Sequence, residues 1–325
     1  MKINAAIIGT GIGLKHLDAL KNSNIAKVKY LCEKNKTKIN YLKKKFPNIN
    51  IIKNEDIIFK DPNINLVSIA SYDDYHYDQI IKAIKSNKNI FVEKPLCLKF
   101  SQLKKIKKLL KRKKLFISSN LVLRVNSLFN DIKKKINRDK IFYIEMDYIW
   151  GRKYKFNGWR SNTKNYNFTL GAAVHIFDLI IWLLGEKPKT IKSYGNNIST
   201  KNTKFKNNSL LVYILKFSNN LIVKVSANGG AIYEHYHELK IFQTDKTFLH
   251  SKLGSKIFKQ RENILKQYDL SNGYPDKLNR KKLLQDFIKS IRNRKHRHIV
   301  PEQDIYDTMS ICFAAERSLK KSKEV

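Results

Sequence analysis

The chain has 325 residues, of which 42% are apolar and 11% aromatic, and this composition excludes a disordered chain and predicts two globular domains. It lacks an apolar run of about 18 residues, so no membrane span is expected. The net charge of +38 is typical of nucleic-acid-binding proteins. However, 54 of the basic residues are Lys, spread along the whole chain, so we expect a solvated surface and no specific nucleic-acid partner.

The N-terminus has the pattern of a strand, a glycine-rich turn and a helix. A short apolar run over Ile3–Ile8 leads into the turn, and the helical spacing of Leu14, Leu17 and Leu20 follows it. The backbone N–H groups of such a turn can approach a pyrophosphate, which the positive end of the helix then stabilises. The residues expected to bind a dinucleotide here are Gly9, Thr10, Gly11, Ile12 and Gly13. A purely structural turn is the alternative for this motif taken alone.

Glu33 strengthens the dinucleotide interpretation, because it follows the second predicted strand at residues 28–32. A carboxylate at the end of that strand can accept hydrogen bonds from the ribose hydroxyls. The same carboxylate would repel a 2′-phosphate. The sequence therefore predicts NAD as the cofactor, with NADP less favoured. The adjacent Lys34 offsets part of the repulsion and reduces this preference.

Strands and helices continue to alternate through the first third of the chain. Further strands are predicted at 50–52, 66–70, 90–92 and 115–118, with helices at 78–86 and 101–112. Such alternation is typical of an α/β fold with a doubly wound parallel sheet. We therefore expect residues 1–119 to form a Rossmann domain that binds NAD(P).

Beyond residue 119 the pattern changes to longer strands with short polar turns. Strands are predicted at 141–149, 210–217, 221–227, 238–243 and 247–250, and helices at 173–184, 282–292 and 303–320. Asn219 and Asn220 tolerate positive φ, which predicts a β-hairpin at that point. Residues 120–325 are thus expected to form an α+β domain with a mainly antiparallel open sheet, which would bind substrate and mediate dimerisation.

Several motifs occur along the chain in an order that is typical of one protein family. They are the triplet Glu93-Lys94-Pro95, the segment Ser71-Tyr72-Asp73-Asp74-Tyr75-His76, Arg124, the pair Trp159-Arg160 and the run from Gly171 to Asp178. In these motifs and their order the chain resembles the glucose-fructose oxidoreductase, inositol dehydrogenase and MocA family (Gfo/Idh/MocA). The resemblance extends over nearly the whole chain and is specific for the family, though not for a substrate.

The resemblance implies a hydride transfer between a nicotinamide, lying in the cleft between the halves, and a secondary hydroxyl of a sugar, sugar nucleotide or cyclic polyol. It implies cofactor contacts from Ser71, His76, Glu93 and Lys94, and catalytic roles for Lys94 and His175. It implies substrate contacts from Arg124, Trp159, Arg160, His175 and Asp178. Because the predicted helix begins just before His175, its positive end would keep this imidazole neutral and able to accept a proton. A surface lysine and a core histidine are the structural alternatives.

Gly171 departs from the pattern of the family. Many of its sugar and polyol dehydrogenases carry Asp four residues before the histidine, where this chain has glycine. The departure keeps two other functions open. One is a non-catalytic regulator of the same fold that senses a dinucleotide or a sugar, and the other is an NAD-dependent glycosidase, which would release sugar without net NADH.

The remaining features predict little further chemistry. His235 and His237 could share one strand face, but no third ligand is evident, so no metal is expected. Three widely spaced cysteines match no metal or disulfide pattern and are expected to be reduced thiols in a cytoplasmic protein. The open sheet predicts a homo-oligomer, either a dimer or a tetramer.

Overall fold

A computed structural model describes residues 2–260, 263–268 and 279–325. The chain forms two compact units. The first comprises residues 1–122 and 278–306, and the second comprises residues 123–277 and 307–325. None of the helices in the described ranges combines the length and the apolar character that crossing a bilayer requires.

The first unit is built on a six-stranded parallel sheet. Its strands are β1 (Ile3–Ile8), β2 (Ala26–Cys32), β3 (Asn50–Ile52), β4 (Leu66–Ile69), β5 (Asn89–Val92) and β6 (Ile117–Ser119). They lie in the order β3-β2-β1-β4-β5-β6, so the direction of winding reverses between β1 and β4. All four residues of β4 are buried, as expected of a central strand covered on both faces.

Helices connect these strands. They are α1 (Gly13–Lys21), α2 (Lys36–Lys45), α3 (Asp56–Lys60), α4 (His76–Lys85) and α5 (Phe100–Leu110). Helix α5 shows why the pattern was predictable, because Leu103, Ile106 and Leu110 form its buried face. The predicted doubly wound parallel sheet is confirmed, although the short helix α3 was not among the predicted elements.

The second unit is built on an eight-stranded sheet. Its strands are β7 (Ile141–Ile149), β8 (Thr190–Asn196), β9 (Leu210–Lys216), β10 (Ile222–Asn228), β11 (Tyr236–Gln243), β12 (Thr247–Ser251), β13 (Gly254–Gln260) and β14 (Asn263–Tyr268). Their order is β14-β13-β12-β11-β7-β10-β9-β8. Strands β7 and β10 are parallel, and the other neighbouring pairs are antiparallel. The predicted mainly antiparallel sheet is confirmed.

The predicted hairpin joins β9 and β10. Asn219 and Asn220 have φ values of 50° and 58°, which Asn tolerates better than most residues. Leu211 then pairs with Ala227 across the hairpin. Strands β8, β13 and β14 were not among the predicted elements.

The helices of the remaining chain are α6 (Ser127–Lys135), α7 (Trp159–Asn162), α8 (Val174–Leu184), α9 (Lys281–Arg292) and α10 (Glu302–Lys321). Helix α9 packs in the first unit, where the Gln285 amide donates to the carbonyl of Ala19 and the Phe287 ring lies 5.9 Å from Phe91. In the domain division predicted from the sequence, this helix belongs to the second domain, residues 120–325. In the structure the first unit contains two segments of the chain, and the second segment, residues 278–306, lies beyond the predicted boundary at residue 119.

Candidate active site

The glycine turn follows β1 and lies against the end of β4. Gly9 has φ +87°, and a Cβ there would lie 2.4 Å from the carbonyl oxygen of Ala70, so glycine is required for the close approach of the two strands. Gly13 packs against Ile7 in the same way, with a Cβ contact of 3.0 Å. At Gly11, in contrast, a Cβ would meet no atom within 4 Å. Packing within the protein therefore explains two of the glycines, whereas Gly11 is exposed and no packing contact requires glycine there.

Glu33 stands directly after β2, where its carboxylate is held by the turn and by the next segment. One oxygen accepts a short hydrogen bond from the Thr10 hydroxyl, and the other accepts from the N–H groups of Lys34 and Asn35 at 2.8 and 2.9 Å. Partial burial raises the pKa of Glu33, but these hydrogen bonds and nearby Lys38 lower it by more, so the pKa lies below its usual value. The carboxylate is therefore ionised at neutral pH.

Glu93, after β5, is the centre of a buried hydrogen-bonded network. Its Oε1 lies 3.1 Å from Nε2 of His16 and 2.6 Å from the Asn120 amide, and Nδ1 of His16 lies 2.8 Å from the Ser68 hydroxyl. Burial raises the pKa of Glu93, yet the His16 and Asn120 contacts outweigh it and the net pKa is lowered. The network joins α1 to the ends of β4, β5 and β6.

His76 begins α4 and supports the segment that carries Lys94. Its Nδ1 lies 2.7 Å from the carbonyl oxygen of Pro95, and its Nε2 lies 3.2 Å from that of Ser71. The Ser71 hydroxyl donates to the Gln79 side chain at 2.7 Å. The side chains predicted to touch the cofactor at Ser71, His76 and Glu93 therefore all bind other parts of this unit, and their contact with a cofactor stays a prediction. Lys94 itself is half-buried.

In the second unit, His175 lies against Tyr148. The two rings are parallel, with an interplanar angle of 2° and centroids 6.2 Å apart. Tyr148 is buried on the inner face of β7, whereas His175 is half-buried. A π-helical turn over Thr169–Ala173 precedes α8, so helical backbone begins well before His175. The expected influence of a helix N-terminus on this imidazole is corrected accordingly, because the effect falls off within the first turn.

Two further imidazoles surround Tyr148. The rings of His235 and His237 lie 5.2 and 4.8 Å from that of Tyr148 and 5.1 Å from each other. Within the described ranges, no three His, Cys, Asp or Glu side chains are arranged to hold a metal ion. The cluster is therefore a set of ring contacts beside His175.

Arg124 and Asp178 form a buried ion pair in the second unit. The guanidinium donates from Nε at 3.1 and 3.0 Å to the two carboxylate oxygens and from a terminal nitrogen at 2.6 Å. The Thr308 hydroxyl donates to the same carboxylate at 3.3 Å. Both charged side chains are only 1% exposed. The sequence predicts substrate contacts for both residues. The structure shows that they are each other's charged partner inside the protein, and their contact with a substrate stays a prediction.

Trp159 and Arg160 form part of an aromatic cluster. The Arg160 guanidinium lies 4.4 Å from the Trp159 ring centroid and 5.2 Å from that of Trp150, and Trp159 contacts the Tyr166 ring at 5.7 Å. The Tyr166 phenol lies where a side chain at Gly171 would project, since a Cβ there would lie 2.1 Å from its oxygen. The two predicted residues are thus brought together, with Tyr166 beside the position of the missing Asp.

Sequence reasoning missed several residues of these clusters. His16 had a usable signal, because it lies on the apolar face of α1 with Leu17 and Leu20, where a polar side chain needs a partner. Asn120 directly follows β6 at the carboxyl edge of the sheet, where open α/β sheets place ligands. Tyr148 alternates with Ile144 and Met146 as an inward residue of β7, but nothing in the sequence pairs it with His175.

Comparison with known proteins agrees with this geometry. Residues 3–121 match the family model described as an oxidoreductase family with an NAD-binding Rossmann fold, and residues 139–249 match the Gfo/Idh/MocA C-terminal domain. The chain belongs to the Gfo/Idh/MocA family. Its first unit is accordingly an NAD-binding Rossmann domain of an oxidoreductase family, and the resemblance drawn from the motifs is confirmed.

Individual members of the Gfo/Idh/MocA family are distant in sequence. The chain is 20% identical to a myo-inositol 2-dehydrogenase of Thermotoga maritima over 238 residues, covering 73% of this chain and 71% of that protein. For other curated relatives the aligned stretch covers about half of their length, between 40% and 58%.

Solved structures of the family share the fold. The myo-inositol 2-dehydrogenase of Lactobacillus plantarum superposes with a TM-score of 0.85 at 20% identity, over 100% of this chain and 99% of that one. A levoglucosan dehydrogenase in complex with NADH superposes with a TM-score of 0.85 at 18% identity, again over 100% and 99%.

Proposed function

We propose that this member of the Gfo/Idh/MocA family is an NAD-dependent oxidoreductase that acts on a secondary hydroxyl of a sugar, sugar nucleotide or cyclic polyol. The observation that carries the proposal is the His16–Glu93–Asn120 network. It ties the helix of the glycine turn to the segment of Lys94, so that a dinucleotide-binding loop and a charged amine belong to one rigid arrangement. A structural glycine turn alone would not need such a link.

The first unit fits NAD on two independent grounds. Gly11 is exposed in the turn that precedes α1, and no packing contact requires a glycine there. The N–H groups of such a turn suit a pyrophosphate. Glu33 is ionised and oriented by Thr10, so its carboxylate suits a ribose diol and repels a 2′-phosphate. Residues Gly9 to Gly13 therefore hold the pyrophosphate, and Glu33 favours NAD over NADP. NAD, when bound, supplies the hydride acceptor.

Lys94 and His175 carry the proton and charge chemistry of the proposed reaction. The Lys94 ammonium group donates a hydrogen bond to the hydroxyl oxygen of the substrate and stabilises the negative charge that grows there. His175 accepts the hydroxyl proton as the carbon loses hydride. The parallel ring of Tyr148 restricts the orientation of the imidazole.

The direct test is turnover. The purified protein is incubated with NAD and a panel of inositols, aldoses and sugar nucleotides, and NADH is followed by its near-ultraviolet absorbance. We expect NADH from at least one polyol or sugar. Release of free sugar from a glycoside without net NADH would support the glycosidase instead. NAD binding without any turnover, in the oxidative or the reductive direction, would support the regulator.

We further propose that the open face of the second sheet joins copies of the chain into a dimer or tetramer. Tyr143 stacks on Phe242 there with centroids 5.8 Å apart, and Glu145 pairs with both Lys224 and Lys240. The face therefore carries both aromatic and charged side chains. Light scattering after size exclusion should give at least twice the monomer mass, and Phe242→Lys should lower it. A wild-type monomer at micromolar concentration would refute this assembly.

A further inference from the structure

Three cations of the second unit lie near one another in the segment that carries Trp150 and Trp159. Arg152, Lys155 and Arg160 lie in the eleven residues that follow β7, and all three are half-buried. The Arg160 guanidinium lies over the rings of Trp150 and Trp159, with its central carbon 5.2 and 4.4 Å from their centroids. It donates no hydrogen bond to another described residue, so its N–H groups are left for another partner.

No negative charge compensates this cluster within the part of the chain that the structure describes. None of the three side chains belongs to an ion pair there. The pKa of Lys155 is lowered by its burial and then by the positive charges of Arg152 and Arg160, so like charges are held together at a cost. Arginine is also scarce in this chain, with 11 among 65 basic residues, so two in one cluster differ from the general lysine-rich surface.

The cluster shares an aromatic framework with His175. The Tyr148 ring, parallel to His175, contacts the Phe168 ring at 6.2 Å, and Phe168 contacts Trp150 at 5.6 Å. Trp150 in turn lies against Arg160. Arg160 is therefore anchored to the same set of rings as the proposed proton acceptor, and Arg152 and Arg160 both lie close enough to Lys155 to lower its pKa, all within one unit.

Gly171 adds a second, independent observation. Where a carboxylate would project from this position, the structure has the uncharged Tyr166 phenol, whose ring also contacts Trp159. The neutral hydroxyl group of Tyr166 therefore lies beside the π-helical turn that precedes His175. An anionic ligand would meet no repulsion from residue 171.

We propose that the substrate carries an anionic group, a carboxylate or a phosphate, which Arg152, Lys155 and Arg160 bind. Trp159 contributes an apolar surface for the ring of the sugar or polyol. This inference rests on the proposed function and narrows its substrate class to sugar acids or phosphorylated sugars and polyols. Two arginines and a lysine provide the bidentate and point-charge contacts that such groups prefer.

The test compares matched substrates on the NAD-loaded protein at physiological salt, which suppresses attraction by the overall charge. The pairs are glucose with glucuronate, glucose with glucose 6-phosphate, and myo-inositol with myo-inositol 1-phosphate. Binding is measured by calorimetry and turnover by NADH formation. We expect at least one anionic member to bind about tenfold or more tightly than its neutral partner. The glucuronate and phosphate arms distinguish the two anions.

The variant R152Q/K155Q/R160Q should lower the ratio of anionic to neutral affinity by about tenfold or more. The matched control K105Q/K108Q/K111Q removes the same charge from exposed lysines at α5, and it should leave that ratio unchanged. The single variant Lys155→Gln guards against misfolding of the triple variant, and circular dichroism and Tm report on the fold of each.

Equal affinity of the wild type for the neutral and anionic members of every pair would overturn the inference. It would also be overturned if the control variant lowered the ratio of anionic to neutral affinity as much as R152Q/K155Q/R160Q does. Turnover of neutral polyols without an anionic preference would leave the proposed function standing and this inference refuted. Binding of an anionic sugar without any turnover would instead support the anion site and refute the oxidoreductase function.

Discussion

Glu33 is the single residue on which the choice between dinucleotides depends. Its ionised carboxylate is oriented by Thr10 at the end of β2. Glu33→Ala should weaken NAD binding by about 1 to 3 kcal/mol, the range for a charge-assisted hydrogen bond, and should reduce the preference over NADP. Calorimetry with both dinucleotides measures this, with Glu234→Ala in an exposed position of the second unit as the control. Wild-type protein that binds NADP as tightly as NAD would contradict the assignment.

His175 is the residue whose loss should affect chemistry more than binding. His175→Ala removes the proton acceptor, and we expect kcat to fall by roughly 10² to 10⁴-fold while NAD affinity stays nearly constant. His235→Ala removes another imidazole from the rings around Tyr148 and should cost less. Circular dichroism and Tm check that each variant folds. Normal turnover by His175→Ala would assign the acid-base role elsewhere, and unfolding would make it a core histidine.

At the level of elements, Arg124 and Asp178 join the start of the second unit to α8, and Thr308 brings in α10. Asp178→Ala would leave a buried guanidinium without its counter-ion, and should lower the free energy of unfolding by about 3 to 5 kcal/mol. The double variant Arg124→Met/Asp178→Leu removes both charges and should recover most of that loss. Urea unfolding measures both. A substrate-binding role would instead change KM with little change in stability.

Glu316 couples α10 to the π-helical turn, because it accepts a short hydrogen bond from Thr169, whose hydroxyl also lies 2.8 Å from that of Tyr213. Burial raises the pKa of Glu316 above 4.5. The folded state therefore holds this proton more tightly than the unfolded state, and its contribution to stability, present below pH 4.5, is lost as pH rises through the folded pKa. Relative to wild type, Glu316→Gln should gain stability as pH rises from 4.5 toward neutrality. Urea unfolding measures the free energy of unfolding of both proteins at each pH. A difference between them that is the same at every pH would contradict this coupling.

For the whole molecule, the dominant property is the charge of +38. We expect binding to duplex DNA to be weak, indifferent to sequence and steeply reduced by salt, because lysines spread over a surface contact phosphates without reading bases. Filter binding with two unrelated duplexes over a salt series measures both properties. A footprint at one sequence that survives physiological salt would support a regulator instead.

The sequence predicts the sheets and most of the helices of both units, but it does not predict which distant elements and side chains contact one another. Local patterns suffice for the strand, glycine turn and helix of the first unit and for the hairpin at Asn219 and Asn220. The predicted second domain includes α9, whereas the structure packs this helix in the first unit. An amphipathic face shows that one side of a helix is buried, but it does not show which element covers that side. Arg124 and Asp178 are 54 residues apart, and only the tertiary fold makes them a pair. The same limit applies to Tyr148 and His175.

The contact between Gly171 and Tyr166 also restricts how this lineage can change by mutation. A side chain introduced at 171 would collide with the phenol oxygen at 2.1 Å and with the ring carbon that bears it at 2.6 Å, so Tyr166→Phe would remove only the first obstacle. An acidic residue at 171 therefore requires the ring at 166 to move or to be replaced by a smaller side chain. The effects of substitutions at 166 and 171 should depend on each other, because a smaller residue at 166 removes the obstacle to a carboxylate at 171.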